Sequence, residues 1–232
     1  MDKVCVITGV GPGTGAALAR RFAAGGYKVA MLARNPDRLA ELERAIPGSK
    51  AYACDVSVEA NVRDTADAVT RDLGPADVVI HNAVGGAFGT FLDIKPEVLN
   101  ANFQTNTMGL LYLAQALVPA MIARGRGALI ATGNTSAQRG RAAFAGFAPT
   151  KAAQRILAEA IARDAGPKGV HVAYVVIDAV IDLAWTRERF KDRPDDFFIK
   201  PAAIADEIFH LAHQDRSAWS FNVEVRPFKE VW

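Results

Sequence analysis

The chain has 232 residues, half of them apolar, and its 27 Lys and Arg against 25 Asp and Glu leave a formal net charge of +2. A chain of this length buries roughly 70% of its unfolded surface, so it requires neither a disulfide framework nor a structural metal. The even charge argues against nucleic acid as the main partner, because phosphate binders concentrate a basic excess. Two cysteines are too few for a disulfide scaffold.

The first apolar run, residues 3–8, reads as a strand. Met1-Asp2-Lys3 enters it without a basic n-region or a long apolar h-region, so no secretory leader is expected and the cytoplasm is the expected location. The strand leads into Thr8-Gly9-Val10-Gly11-Pro12-Gly13-Thr14-Gly15, and a helix begins at Ala16. Glycines allow a tight turn and close approach to a pyrophosphate, whose charge the helix N-terminus then meets. A strand-to-helix connection with no ligand is the plainer alternative.

Further strands are expected at 28–32, 51–54, 77–81, 128–132, 171–177 and 221–225, with amphipathic helices at 15–24, 37–45 and 59–73 among those between them. Strands alternating with helices predict a doubly wound α/β fold with a parallel sheet and helices on both faces. No linker divides residues 1–232, which are expected to form one nucleotide-binding domain. The second strand ends Ala33-Arg34-Asn35, where an NAD-preferring site would carry an acid for the ribose 2′-hydroxyl. A guanidinium suits a 2′-phosphate instead, so NADP(H) is favoured over NAD(H), against a merely solvated Arg34. Residues 98–123 carry no charge, but Asn100, Asn102, Gln104, Asn106, Gln115 and Pro119 fit a buried helix better than a membrane span. Residues 178–200 break the rhythm with Trp185, Arg187, Arg189, Phe190, Phe197 and Phe198, and read either as a substrate lid or as a packed surface loop. No metal site is expected.

In combination these motifs resemble the short-chain dehydrogenase/reductase family over nearly the whole chain. Thr8-Gly9-x3-Gly13-x-Gly15 matches its glycine motif, and Asp55-Val56 its adenine contact. His81-Asn82-Ala83-Val84 is similar to its Asn-Asn-Ala-Gly signature, Asn106-x2-Gly109 to its active-site Asn helix, and Lys151 to its Lys. The resemblance implies a cofactor held by Gly9, Gly11, Gly13, Thr14, Gly15, Arg34, Asn35, Asp55, Val56, Asn82, Ala83, Lys151 and Ile181, with Asn106, Asn134, Phe147 and Lys151 at the catalytic positions. It implies strand order 3-2-1-4-5-6-7, which places Cys5 and Cys54 about 9–10 Å apart across the second strand, beyond disulfide reach. It also implies a small-molecule substrate and a homodimer or homotetramer built through helices at 110–123 and 152–163.

The family's Tyr-x3-Lys is broken. Phe147 holds the Tyr slot, and thirteen residues earlier Asn134 holds the Ser slot. If a helix starts near Ala145, Phe147 and Lys151 share one face and should both point at the nicotinamide ribose. Phe has no proton to give, and none of Tyr27, Tyr52, Tyr112 and Tyr174 falls near the required slot. Lys151 is one replacement donor. Asp178 and Asp182 are others, unless Asp182 only caps a helix; His171 reads as structural. Two readings follow: an NADP(H)-dependent oxidoreductase with an atypical site, or a catalytically silent NADP(H)-binding sensor or partner subunit.

Overall fold

The computed structural model describes residues 3–230, so that Met1, Asp2, Val231 and Trp232 lie outside it. Its strands are β1 (Lys3–Thr8), β2 (Tyr27–Ala33), β3 (Ser49–Ala53), β4 (Val78–His81), β5 (Gly127–Gly133), β6 (Val170–Ile177), β7 (Val180–Ile181), β8 (Phe198–Ile199) and β9 (Asn222–Val225). Seven pair in parallel in the order β3-β2-β1-β4-β5-β6-β9, and β7 pairs separately with β8. All eight residues of β6 and all four of β4 are buried, the signature of a sheet covered on both sides.

The helices supply that cover. On one face α1 (Thr14–Ala24), α2 (Pro36–Ala45) and α8 (Pro201–Leu211) bury Leu18, Phe22, Leu39, Ile204 and Ile208. On the other, α3 (Glu59–Leu73), α5 (Gly109–Arg124) and α6 (Ala148–Ala165) bury Val62, Val69, Leu110, Leu113, Leu117 and Ala158. Each large apolar side chain placed this way contributes about 1.5–3 kcal/mol. The short α4 (Pro96–Phe103) runs through a π turn at Gln104–Met108 into α5. The combined Pro96–Arg124 helix is long and apolar enough to cross a membrane, yet half of its most apolar stretch is buried against the rest of the protein.

Residues 178–200 carry β7, α7 (Ala184–Arg189) and β8, which form a small lobe. Two-residue strands carry too little pattern to be read in advance. Two expectations need correction. Asp182 neither caps a helix nor stands free as an acid. Arg187 Nε and Nη2 grip its carboxylate at 2.6 and 2.9 Å, and Lys200 Nζ adds a bond of 2.7 Å. Arg187 first, then Lys200, hold that carboxyl well below the usual carboxylate range. Finally, α6 starts at Ala148 rather than near Ala145, with Phe147 as the residue before it.

Candidate active site

The sheet reverses direction of winding between β1 and β4, and in such folds the ligand crevice opens at the carboxyl ends of the strands at that point. The glycine turn sits there. Gly9 has φ +69°, and a Cβ on it would stand 2.5 Å from the Ala83 α-carbon, so Ala83 and the turn touch backbone to backbone. A Cβ on Gly15 would meet the Gly9 carbonyl oxygen at 2.6 Å, which is how α1 packs close to its strand. Gly11 by contrast faces open space, with no atom within 4 Å of a Cβ. The first turn of α1 has no side-chain cap and no acidic residue; Ala16 N donates to the Gly11 carbonyl at 3.0 Å, which leaves the Thr14 and Gly15 N–H groups for an anion. These features fit a dinucleotide phosphate. Gly13 is covered by the tip of the Leu183 side chain, which reaches it from the lobe after β7.

Arg34 is exposed at the end of β2, and its charge acts on Asp55 across the adjacent strand end. Asn35 caps α2 by accepting from Arg38 N at 3.0 Å. Asp55 accepts from the Ser57 amide and hydroxyl at 3.0 and 2.7 Å. Asn82 donates to the Gly9 carbonyl at 3.1 Å and accepts from the Thr132 hydroxyl at 3.3 Å, tying β1, β4 and β5 together. Val56 is buried and Ile181 half-buried.

The Lys151 side chain reaches from α6 to β5. Its Nζ is buried and donates to the Thr132 carbonyl at 2.9 Å and to Gln154 Oε1 at 2.5 Å. No carboxylate bonds it among the described residues, and burial pulls the amine down from its ordinary 10.5 to about 7. Asn106 lies in the π turn, fully buried, and its side chain is spent on Gly85 N, Gly85 O and the Thr150 hydroxyl. The Thr150 hydroxyl in turn donates to the Phe147 carbonyl at 2.7 Å. Asn106 thus locks the β4 loop to the start of α6. Phe147 is buried, and the Lys151 N–H bonds its carbonyl at 3.2 Å. Asn134, two residues beyond Thr132, is bonded locally: its Oδ1 accepts from Ser136 N at 3.1 Å and starts a tight turn.

Gln154, Tyr174 and the structural role of His81 were invisible from the motifs. The Tyr174 hydroxyl lies 3.2 Å from Gln154 Oε1, over Gly133, although β6 is far from the Tyr slot in sequence. His81 Nε2 faces the Asn106 carbonyl at 3.2 Å and its Nδ1 the Thr8 hydroxyl at 3.2 Å. The one available signal was polarity, since Gln154 follows Lys151 at i+3 on a helix face turned to the sheet.

The short chain dehydrogenase family pattern matches residues 3–193, and the chain belongs to that family. It is an oxidoreductase of the short-chain type. Over 228 residues it is 26% identical to an uncharacterized oxidoreductase of Staphylococcus epidermidis, with 97% of each chain covered. Acetoacetyl-CoA reductase of Shinella zoogloeoides is 32% identical over 173 residues, 74% of this chain and 71% of the other. A metagenomic short-chain oxidoreductase, solved in complex with NADP, superposes with a TM-score of 0.85 at 30% identity over 97% of both chains.

Proposed function

We propose that the protein is an NADP(H)-dependent oxidoreductase of a branch in which Phe147 and Asn134 replace the usual Tyr and Ser, and in which Lys151 is the proton-moving group. The observation that carries this reading is the Lys151 amine, buried, bonded only to neutral oxygens, and lowered to about 7. An acid of that strength is half protonated at neutral pH, which suits proton transfer.

The phosphates would be held by Gly11, Gly13 and the first turn of α1, a 2′-phosphate by Arg34, and the adenine end by Asp55 and Val56. Asn82 and Ala83 back the glycine turn, Ile181 closes the other side, and Asn35 keeps Arg34 at the head of α2. A bound nicotinamide supplies or accepts a hydride. Lys151 releases or takes the accompanying proton, directly or through a water. Phe147 offers an apolar wall, and the Asn134 amide can donate to a developing oxyanion. Without a phenol, ordinary ketone reduction loses about 10²–10⁴-fold. Small substrates that need no strong acid follow: an iminium, a quinone or an activated alkene. The NADP complex of the metagenomic relative supports the cofactor choice. The free buried thiols of Cys5 and Cys54 suit the cytoplasm, and Ile156, exposed on α6, suits assembly into a homodimer or homotetramer.

The test is NADPH oxidation by purified protein offered ketones, imines, enones and quinones. Turnover with an activated class, abolished in Lys151→Met, is the expected result. Tight NADPH binding with no turnover on any class, together with new ketone reduction in Phe147→Tyr/Asn134→Ser, would instead establish the silent cofactor-binding role.

A further inference from the structure

The side-chain amide of Gln154 is fully buried and bonded at both ends. Its Nε2 donates to the Asn106 carbonyl at 2.7 Å, which fixes the direction of the amide, because a carbonyl only accepts. Its Oε1 therefore faces the Lys151 amine at 2.5 Å, and the Tyr174 hydroxyl shares its one proton between the same oxygen at 3.2 Å and the Lys151 carbonyl at 3.3 Å. Turned the other way, the amide would set its NH2 against the ammonium and its oxygen against the Asn106 oxygen. Three elements thus meet on one neutral side chain: α6, β6 and the π turn before α5.

Among the described residues, the groups around the amine are few. From β5 comes the Thr132 carbonyl, from β6 the Tyr174 hydroxyl, which shares the Gln154 oxygen with it, and from β4 His81, whose ring feels the Lys151 charge. Arg155, one residue further round α6 than Gln154, acts on Tyr174. None is an acid that is ionised at neutral pH.

We propose that Gln154 is a positioning residue: it holds the Lys151 amine withdrawn into the protein while supplying a neutral oxygen where a carboxylate would lock the amine as an ammonium. Its catalytic consequence rests on the reading of Lys151 as the proton-moving group, but the positioning does not. An opposite charge within about 4–6 Å favours the charged form of a titrating group by one to three pH units, whereas an amide dipole leaves desolvation to dominate.

The experiment follows the Lys151 amine itself by NMR in protein carrying isotope-labelled lysine, its signal assigned by its loss in Lys151→Met. Gln154→Glu keeps the shape and adds the charge, and should raise the amine's titration midpoint by at least about one pH unit, a tenfold change in proton affinity. Gln154→Leu leaves the amine with Thr132 alone and should lower the midpoint. If either variant does not fold, as judged by its melting transition, the other decides. A midpoint unmoved in a folded variant overturns the proposal. Because no substrate is present, an enzyme found inactive would leave this result standing. Turnover whose pH limb ignores the shifted midpoint would reject Lys151 as proton donor and leave Gln154 as its holder.

Discussion

His81 Nε2 and the Asn106 carbonyl oxygen lie 3.2 Å apart in a fully buried network that also contains Lys151, linked to the same carbonyl through Gln154. The carbonyl can only accept, so Nε2 carries the proton and Nδ1 accepts from the Thr8 hydroxyl: the ring is satisfied as a neutral base. Burial first, then the Lys151 charge, lowers His81 from 6.5 to about 3, and burial lowers Lys151 from 10.5 to about 7.

Both shifts have the same sign in stability. Where the folded value of a base lies below its unfolded value, the unfolded chain binds more protons between the two, and stability rises with pH across that interval. For His81 the interval is about 3 to 6.5, and for Lys151 about 7 to 10.5. Each contributes a slope approaching about 1.4 kcal/mol per pH unit inside its interval. Melting temperature should therefore climb between roughly pH 5 and pH 8, above the carboxylates and below the buried thiols of Cys5 and Cys54, which burial pushes up and which act in the opposite sense at higher pH. Lys151→Met should flatten the upper half of that climb. A wild-type curve that is flat or falls over this range contradicts the burial of both bases in neutral form.

The proposed preference for NADP(H) rests on Arg34. Replacing it with Ala removes a charge-assisted contact of about 1.5–3 kcal/mol, so NADPH affinity should fall roughly 10- to 100-fold while NADH is little affected. Fluorescence titration of both dinucleotides at fixed ionic strength checks this. An equal loss for both, or none, would return Arg34 to the role of a solvated residue at the head of α2.

The strands and the glycine turn were legible because their signals are local: alternation of apolar β runs with helices, and glycines between β1 and α1. The strand order needed the family resemblance, and it is observed. What the sequence hid was any role set by distant partners. Asn106 was identifiable by its motif, but nothing in the motif shows its amide spent on Gly85 and Thr150. Tyr174 is remote from the Tyr slot along the chain, and only the fold brings its hydroxyl to Gln154. Nothing near Asp182 in sequence shows that both Arg187 and Lys200 hold it.

That last cluster makes a prediction about the lobe. Asp182 pins α7 through Arg187 and the start of α8 through Lys200, while Arg187 also holds Asp195 at 2.5 Å. Such partly exposed pairs contribute little to global stability, about 0–1 kcal/mol each. Their loss should loosen the segment rather than unfold the protein. Asp182→Asn should speed limited proteolysis within residues 183–199 with little change in melting temperature. Cleavage no faster than in wild type would mean that the Leu183 contact with Gly13 and the β7–β8 pairing hold the lobe unaided.

Gly133 is needed for a reason unconnected with backbone freedom. A Cβ there would overlap the Tyr174 ring and its hydroxyl, the end that bonds Gln154 Oε1 and the Lys151 carbonyl. The neighbour is a rigid ring in a filled core, so Gly133→Ala must displace it, at the usual overpacking cost of about 1–3 kcal/mol. For a chain of this length the melting temperature should fall by roughly 2–10 °C. Tyr174→Leu alone should also destabilise, through lost packing and an unfilled bond to Gln154. Because the alanine methyl and the leucine side chain no longer compete for the same space, the double variant should be more stable than the sum of the two single losses. Simple additivity in that cycle would show that the two residues are not in contact.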